Sequence, residues 1–237
     1  FPYTTLFRSY VRASLKNTVV FTVITVPLQT AGSLVLAAVI AELFHNKFGN
    51  FVKSSLFVPV IASAILVGTL WFTLLSPRGV VNSIIHAFGL PSVNWLGGKL
   101  TSMLSVCIVS VWKNVGYFLV IYFAGIMDIP RSLYEAAEVD GANAFQRFFK
   151  ITLPGLSSVT FLVVTLGTIW SFQVFDLVYT MTGGGPGTST VTLVLTTYNA
   201  AFKEYNMGYA SAVAMLMFVF VLAVSGLQKL LLKGGED

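Results

Sequence analysis

Long uncharged apolar runs dominate the chain, rather than alternation or a narrow amphipathic stripe. Residues 18–41, 54–77, 151–175 and 205–228 carry no charge, and 100–127 is interrupted only by Lys113. Each run is long enough to cross a hydrocarbon core, which takes about 20 helical residues. Backbone groups in lipid must be bonded within their own segment, so these runs predict helices. The pattern predicts five membrane spans, at about 17–43, 53–76, 100–127, 154–181 and 206–231. The fold class is all-α, a polytopic membrane helix bundle. A sixth uncharged stretch, 177–202, contains GGGPG at 183–187 and many threonines. Gly and Pro clusters punctuate helices. This stretch therefore reads as the end of the fourth span, a turn, and a short interfacial segment.

Composition agrees with a lipid-facing surface. The 237 residues are 56% hydrophobic and only 10% charged, whereas a soluble domain carries about 25% charged residues. The single cysteine, Cys107, excludes an internal disulfide and a cysteine metal cluster. His45 and His86 stand far apart and suggest no metal site. The net charge is +5, but no two basic residues are adjacent, so nucleic acid is not an expected partner.

Loop charges set the expected orientation. With the loop at 42–53 and the C-terminus in the cytoplasm, seven Lys or Arg fall inside (Lys47, Lys53, Arg131, Arg147, Lys150, Lys229, Lys233). Five fall outside (Arg12, Lys16, Arg78, Lys99, Lys203). The excess favours this orientation. Segments 77–99 and 182–205 are then extracytoplasmic, and 129–154 is cytoplasmic. The first nine residues, FPYTTLFRS, can be back-translated as TTT CCC TAC ACG ACG CTC TTC CGA TCT, which resembles the end of a sequencing adapter. Residues 1–9 are therefore set aside as an artefact, and 10–237 is read as the transmembrane domain. Tyr10 falls outside, so a further span is expected upstream.

The segment IPRSLYEAAEVDGANAFQRFFKITLPG, 129–155, is unlike the rest. Ser132 followed by Glu135 is a capping-box pattern and predicts a helix start. Gly141 ends or bends that helix, and Asn143 caps a second one. Pro154 suits the first turn of the next span. Ala136 and Ala137 leave room for close approach. Tyr134 and the phenylalanines put large apolar groups beside water, which marks a contact surface. The alternative is an amphipathic helix lying on the bilayer, but Glu135, Glu138 and Asp140 come with no lysine, whereas interfacial helices favour basic residues.

Glu135-Ala136-Ala137, three residues, Gly141 and then Leu153-Pro154 resemble the EAA loop of ABC-importer permease subunits. NTVVFTVITVPLQ, FVPVIASAILVGTLW, VWKNVGYFLVIYFAGI and FDLVYTMTGGGP resemble the carbohydrate-uptake branch. The GGGP stretch, with Gly184, Gly185 and Pro186 in the outer loop, is similar to the first (maltose- or glycerophosphate-type) permease subunit. The resemblance implies a type I core of six helices, of which five are visible here. It implies that Tyr134, Glu135, Ala136, Ala137, Asp140, Gly141, Leu153 and Pro154 couple the membrane domain to a cytoplasmic ATPase. It also implies two ATPase subunits holding ATP and Mg²⁺, a second permease subunit forming a heterodimer, and an extracytoplasmic solute-binding protein. The setting implied is a bacterial or archaeal cytoplasmic membrane.

A charge at mid-span is costly, so Lys113 is expected to face the bundle interior or water. Asp176 is a possible partner, and the two readings are a packing ion pair and a polar wall on the solute path. Trp112, Asn114, Tyr117, Gln173 and Tyr179 could line that path, because aromatic faces and amides suit sugar rings and hydroxyls. Trp95 reads as an interfacial anchor. No catalytic constellation is visible, and no Gly-x-x-x-x-Gly-Lys loop is present, so this chain is not expected to be the ATPase. The expected cargo is a sugar. Glycerol phosphate or a polyamine on the same machine, and a secondary transporter, are the alternatives.

Overall fold

The computed structural model describes residues 2–43 and 47–232; Phe1, His45 and Lys233 lie outside the described residues. Twelve α-helices are described: α1 Pro2–Leu43, α2 Lys47–Ile61, α3 Ala64–Leu74, α4 Val80–Ala87, α5 Lys99–Asp128, α6 Arg131–Val139, α7 Ala144–Arg147, α8 Leu153–Gly155, α9 Ser157–Phe172, α10 Asp176–Met181, α11 Leu193–Tyr198 and α12 Met207–Leu232. Two π-helical turns, Phe148–Thr152 and Asn199–Lys203, join α7 to α8 and follow α11. No strand forms among the described residues. Helix α1 runs without a break through residues 2–9.

Among the described residues, three helices are long and apolar enough to cross a bilayer unbroken: Ser9–Leu43, Lys99–Asp128 and Met207–Leu230. Two further helix pairs pass the same test of length and composition only together, each bent at a break, where the sequence predicts continuous spans at 53–76 and 154–181. The first breaks at Ala62 and Ser63, between α2 and α3. Pro59 lies one turn earlier, where it removes a backbone donor from the ladder. In the second pair the helical segment Ala144–Gly155, which includes the end of the predicted cytoplasmic loop, turns by 70° into α9, and a further break follows at 173–175 before α10. No Gly or Pro occurs between 168 and 182, so nothing local marks that second break.

The chain divides into two compact units, Phe1–Thr25 with Ala62–Val111 and Thr168–Val224, and Val26–Ile61 with Trp112–Gly167 and Ser225–Asp237. In the first unit, Phe21, Val67, Val106, Cys107, Val178 and Met181 form the core. Several buried hydroxyls on α1 bond to their own helix there. Thr18 donates to the Ser14 carbonyl at 2.8 Å, and Thr22 to that of Thr18 at 2.9 Å. The Thr18 hydroxyl also accepts from the Leu193 N–H at 3.1 Å, and Asn17 donates to the Thr188 and Val191 carbonyls at 2.6 and 3.0 Å. These bonds seat the segment 188–195 on α1. Val191, Leu193 and Leu195 are fully buried, so this stretch packs into the core of its unit.

Asn82 organises the loop 77–99 in the same unit. It donates to the carbonyls of Ser76, Pro77 and Val93 at 3.2, 3.3 and 3.1 Å, and accepts from Val93 N–H and the Trp95 indole at 3.0 and 3.3 Å. Trp95 is partly buried against the core, so packing as well as the Asn82 bond holds it in the loop. The Gly184 carbonyl accepts from Thr190 N–H at 3.1 Å. That of Gly185 accepts from the Thr190 hydroxyl at 2.9 Å. Pro186 follows in the same threonine-closed turn.

In the second unit, Ala37, Ile40, Phe118, Leu119, Tyr122 and Leu156 form the core. Lipid is as apolar as leucine, so helices in a bilayer associate by close packing rather than by hydrophobic burial. Glycines permit that packing. A Cβ on Gly125 would lie 2.8 Å from Val159 and 2.9 Å from Leu156. Tyr122 adds a hydrogen bond to the Thr160 hydroxyl at 3.3 Å.

Candidate functional site

The segment predicted as a knob folds into α6, a turn, α7 and a π-helical turn. Helix α6 starts at Arg131, one residue before the predicted cap. Pro130 is its N-cap, and no side chain caps it. The expected Ser132–Glu135 capping box is therefore absent. The Pro130 carbonyl accepts from the Leu133 N–H at 3.1 Å, so the first turn is closed by the backbone. The C-terminus of α6 is closed by two bonds, Gly141 N–H to the Glu138 carbonyl at 3.0 Å and Ala142 N–H to that of Ala137 at 2.8 Å. This pair is a Schellman motif, which places its closing residue in the left-handed region. Gly141 sits there, with φ of 76°. A Cβ at Gly141 would meet nothing within 4 Å, so backbone conformation rather than crowding inside this chain selects glycine. Asn143 then caps α7 through a full capping box with Gln146, both bonds at 2.9 Å.

Of the expected coupling residues, Glu135, Ala136, Asp140 and Pro154 are exposed, and Tyr134, Ala137 and Leu153 are half-buried. Apolar side chains stand beside the acids: Val139 is 89% exposed and Phe145 71%. No side chain of α6 is fully buried. Polar ties hold the helix instead. The Tyr134 hydroxyl bonds that of Thr152 at 2.9 Å. Arg147 donates to Glu138 and to Glu42, both at 2.6 Å. The hydrogen bond that Arg147 donates to Glu42 comes first among the causes that raise the Arg147 pKa above its ordinary value, so the guanidinium stays cationic. A pocket of about 390 Å³ lies beneath, lined by Ala38, Glu42, Tyr134, Glu138, Arg147 and Thr152 among others.

A family model for the binding-protein-dependent transport system inner membrane component matches residues 17–234, which include the whole knob. The chain belongs to that family. Sequence relatives include a probable ABC transporter permease of Bacillus subtilis, YurN, 38% identical over 94% of this chain and 78% of its own length. The sulfoquinovosyl glycerol permease SmoG of Agrobacterium fabrum is 36% identical over 88% and 68%. The trehalose/maltose permease MalF of Thermococcus litoralis is 35% identical over 87% and 69%. A solved bacterial ABC transporter involved in alginate import shares the fold, with a TM-score of 0.89 at 24% identity, over 99% of this chain and 83% of that one. The protein is thus a multi-pass permease subunit of an ABC importer, not an enzyme, and ATP hydrolysis belongs to a separate subunit.

The polar residues expected along the permease's path fall in both units. Trp112, Lys113, Asn114 and Tyr117 lie on α5 in the second unit, where Trp112 is exposed and the other three half-buried. Tyr117 meets Phe118 edge to face at 5.4 Å. Lys113 donates to the Val60 carbonyl at 3.1 Å. That carbonyl lies in the last turn of α2, where the helix ends and its acceptors lose intrahelical donors. A cation at this end is also favoured by the helix dipole. Lys113→Ala is expected to lower the amount of assembled complex several-fold, since a hydrogen bond from a charged donor contributes about 1.5–3 kcal/mol. Uptake per assembled complex should change little. Immunoblots of membranes beside uptake assays check this, and full assembly with lost uptake would place Lys113 on the path instead.

Gln173, Asp176 and Tyr179 lie in the first unit and are exposed. Asp176 opens α10, where a helix N-terminus favours an acid. Tyr179 belongs to an aromatic group that local sequence does not reveal. It stacks on Phe175 at 5.3 Å and meets Tyr198 at 5.5 Å, while Tyr198 meets Phe202 at 5.3 Å. The Lys203 ammonium lies 5.4 Å from the Tyr179 ring and 5.9 Å from that of Tyr198. Among the described residues, no group of three His, Cys, Asp or Glu could hold a metal ion.

Proposed function

We propose that this permease imports a sugar, delivered by an extracytoplasmic solute-binding protein and driven by two cytoplasmic ATPase subunits that hold ATP and Mg²⁺. A second permease subunit completes the path as a heterodimer, in a bacterial or archaeal cytoplasmic membrane. The observation that carries the reading is the knob. It is a short helix with exposed acids and exposed apolar groups, a fixed C-terminal turn and no buried side chain of its own. Such a surface suits a partner protein rather than lipid. Tyr134, Glu135, Ala136, Ala137, Asp140, Gly141, Leu153 and Pro154 form the coupling surface. Trp112, Asn114, Tyr117, Gln173, Asp176 and Tyr179 contribute to the path. The turn at Gly184, Gly185 and Pro186 faces outward.

Sugar as cargo is supported by relatives named for trehalose and maltose, for sulfoquinovosyl glycerol and for lactose. The aromatic group around Tyr179 offers ring faces of the kind that pack on sugar rings. A second reading, glycerol phosphate, is favoured by Lys203 beside those rings and by a relative named for sn-glycerol-3-phosphate. The test is uptake in proteoliposomes holding the permease with its partner subunits. Maltose, trehalose, lactose, glycerol 3-phosphate and spermidine are offered in turn. Saturable sugar uptake that requires both ATP and the binding protein is expected. Uptake driven by an ion gradient without ATP would overturn the importer reading, and uptake of glycerol 3-phosphate alone would overturn the sugar.

A further inference from the structure

We propose that Arg147 is a positioning residue that ties the coupling helix α6 to the end of α1, so that the two move as one body. The inference rests on the reading of α6 as the coupling element. Arg147 Nη1 donates to Glu138 on α6, and Nη2 to Glu42 on α1, both at 2.6 Å. Glu42 is the penultimate residue of α1, and it lies 105 positions away in sequence. One guanidinium therefore bridges two elements that share no neighbouring sequence.

Three features make this bridge matter for motion. No side chain of α6 is fully buried, so apolar packing does not fix the helix to the bundle. The pocket beside it, about 390 Å³, separates the helix from α1 and the end of α5, and Glu42, Glu138 and Arg147 all line it. Force on α6 reaches α1 across that gap through Arg147. The Tyr134–Thr152 bond holds α6 to the π-helical turn only. Finally, Arg147 is presented rigidly. It ends α7, whose start is locked by the Asn143–Gln146 capping box. Its side chain is 19% exposed, against 44% for Glu42 and 63% for Glu138.

Exposed ion pairs contribute little to folding stability. Loss of the bridge should therefore spare assembly and impair the transfer of motion. Lysine is the diagnostic replacement. An ammonium is a point charge on a flexible stem, whereas the planar fork engages two carboxylates in fixed directions.

The experiment uses the full complex in lipid nanodiscs and proteoliposomes, with spin labels at Leu43→Cys and Ser132→Cys in a Cys107→Ser background. Arg147→Ala is expected to broaden the label-to-label distance distribution and to lower uptake per ATP hydrolysed about tenfold, with complex abundance within twofold of the parent. Arg147→Lys and Glu42→Gln should each give about a threefold loss. An unchanged distribution and unchanged uptake per ATP in Arg147→Ala would overturn the proposal. So would loss of assembly in Arg147→Ala with normal coupling in the Lys and Gln variants. The distance measurement reads the bridge even if the parent complex takes up no sugar, so failure of the importer reading and failure of the bridge give different results.

Discussion

Gly141→Val is expected to reduce uptake at least tenfold while the permease remains inserted and assembled. The reason is conformational. Gly141 holds φ of 76° at the end of α6 and closes the Schellman pair with Ala142. The left-handed region costs an L-residue about 1–2 kcal/mol, and a β-branched side chain is a clear outlier there. Valine would open the turn, and α7 would leave α6 at a new angle, carrying the Asn143 cap and Arg147 with it. The spans do not depend on this turn, since a Cβ at Gly141 meets nothing within 4 Å. Asn and Asp tolerate the conformation better, so Gly141→Asn should lose less than Gly141→Val. Gly141→Asp should fall between them, because it adds an acid beside Asp140. Solute-stimulated ATP hydrolysis and uptake, measured on the same purified complexes, check the order. Equal losses for Asn and Val would show that bulk against a partner, not backbone conformation, is what glycine avoids; wild-type uptake in all three would refute the loop as the coupling element.

Gly116→Val should remove most of the folded permease from the membrane. A Cβ on Gly116 would lie 2.1 Å from the Leu56 carbonyl oxygen, 2.7 Å from its carbon and 3.1 Å from the Phe57 nitrogen. All three are backbone atoms, so no rotamer change relieves the collision, and α2 and α5 must separate. Separation also removes the Lys113 bond to Val60, one turn along both helices. Overpacking of this kind costs about 1–3 kcal/mol or more, and the lost charged hydrogen bond adds about 1.5–3 kcal/mol. Against a folding stability of about 5–15 kcal/mol, the sum is large. Gly116→Ala should be intermediate. Membrane abundance and the melting temperature of the detergent-solubilised protein are the measurements, and wild-type values for the valine variant would sink the prediction.

Much of this was legible along the chain. Uncharged runs of more than 20 residues select helices wherever lipid is the solvent, because each backbone group must then be bonded locally. That argument needs no knowledge of what packs on what. The turn at Gly141 and the cap at Asn143 were legible for a similar reason: both are decided within a few residues, by allowed φ and by a side chain reaching three positions ahead. The Ser132 cap failed at the same range, because Pro130 starts the helix first.

Tertiary structure decided the break at 173–175, which nothing local marks, and what holds the broken ends. A helix leaving its ladder in a bilayer exposes carbonyls that must find donors from elsewhere. Lys113 supplies one to Val60, from 53 residues away, and Thr192 supplies another to Val174 at 3.1 Å, from 18 residues away. Neither pairing has a local signature, since a lysine or a threonine in an apolar run reads the same whether it meets a carbonyl, a solute or water. The bridge from Arg147 to Glu42 is likewise invisible in order of sequence. Periodicity and capping are properties of consecutive residues, and they are written in the chain. A contact between residues 105 apart depends on how the helices stack, and only the folded protein determines it.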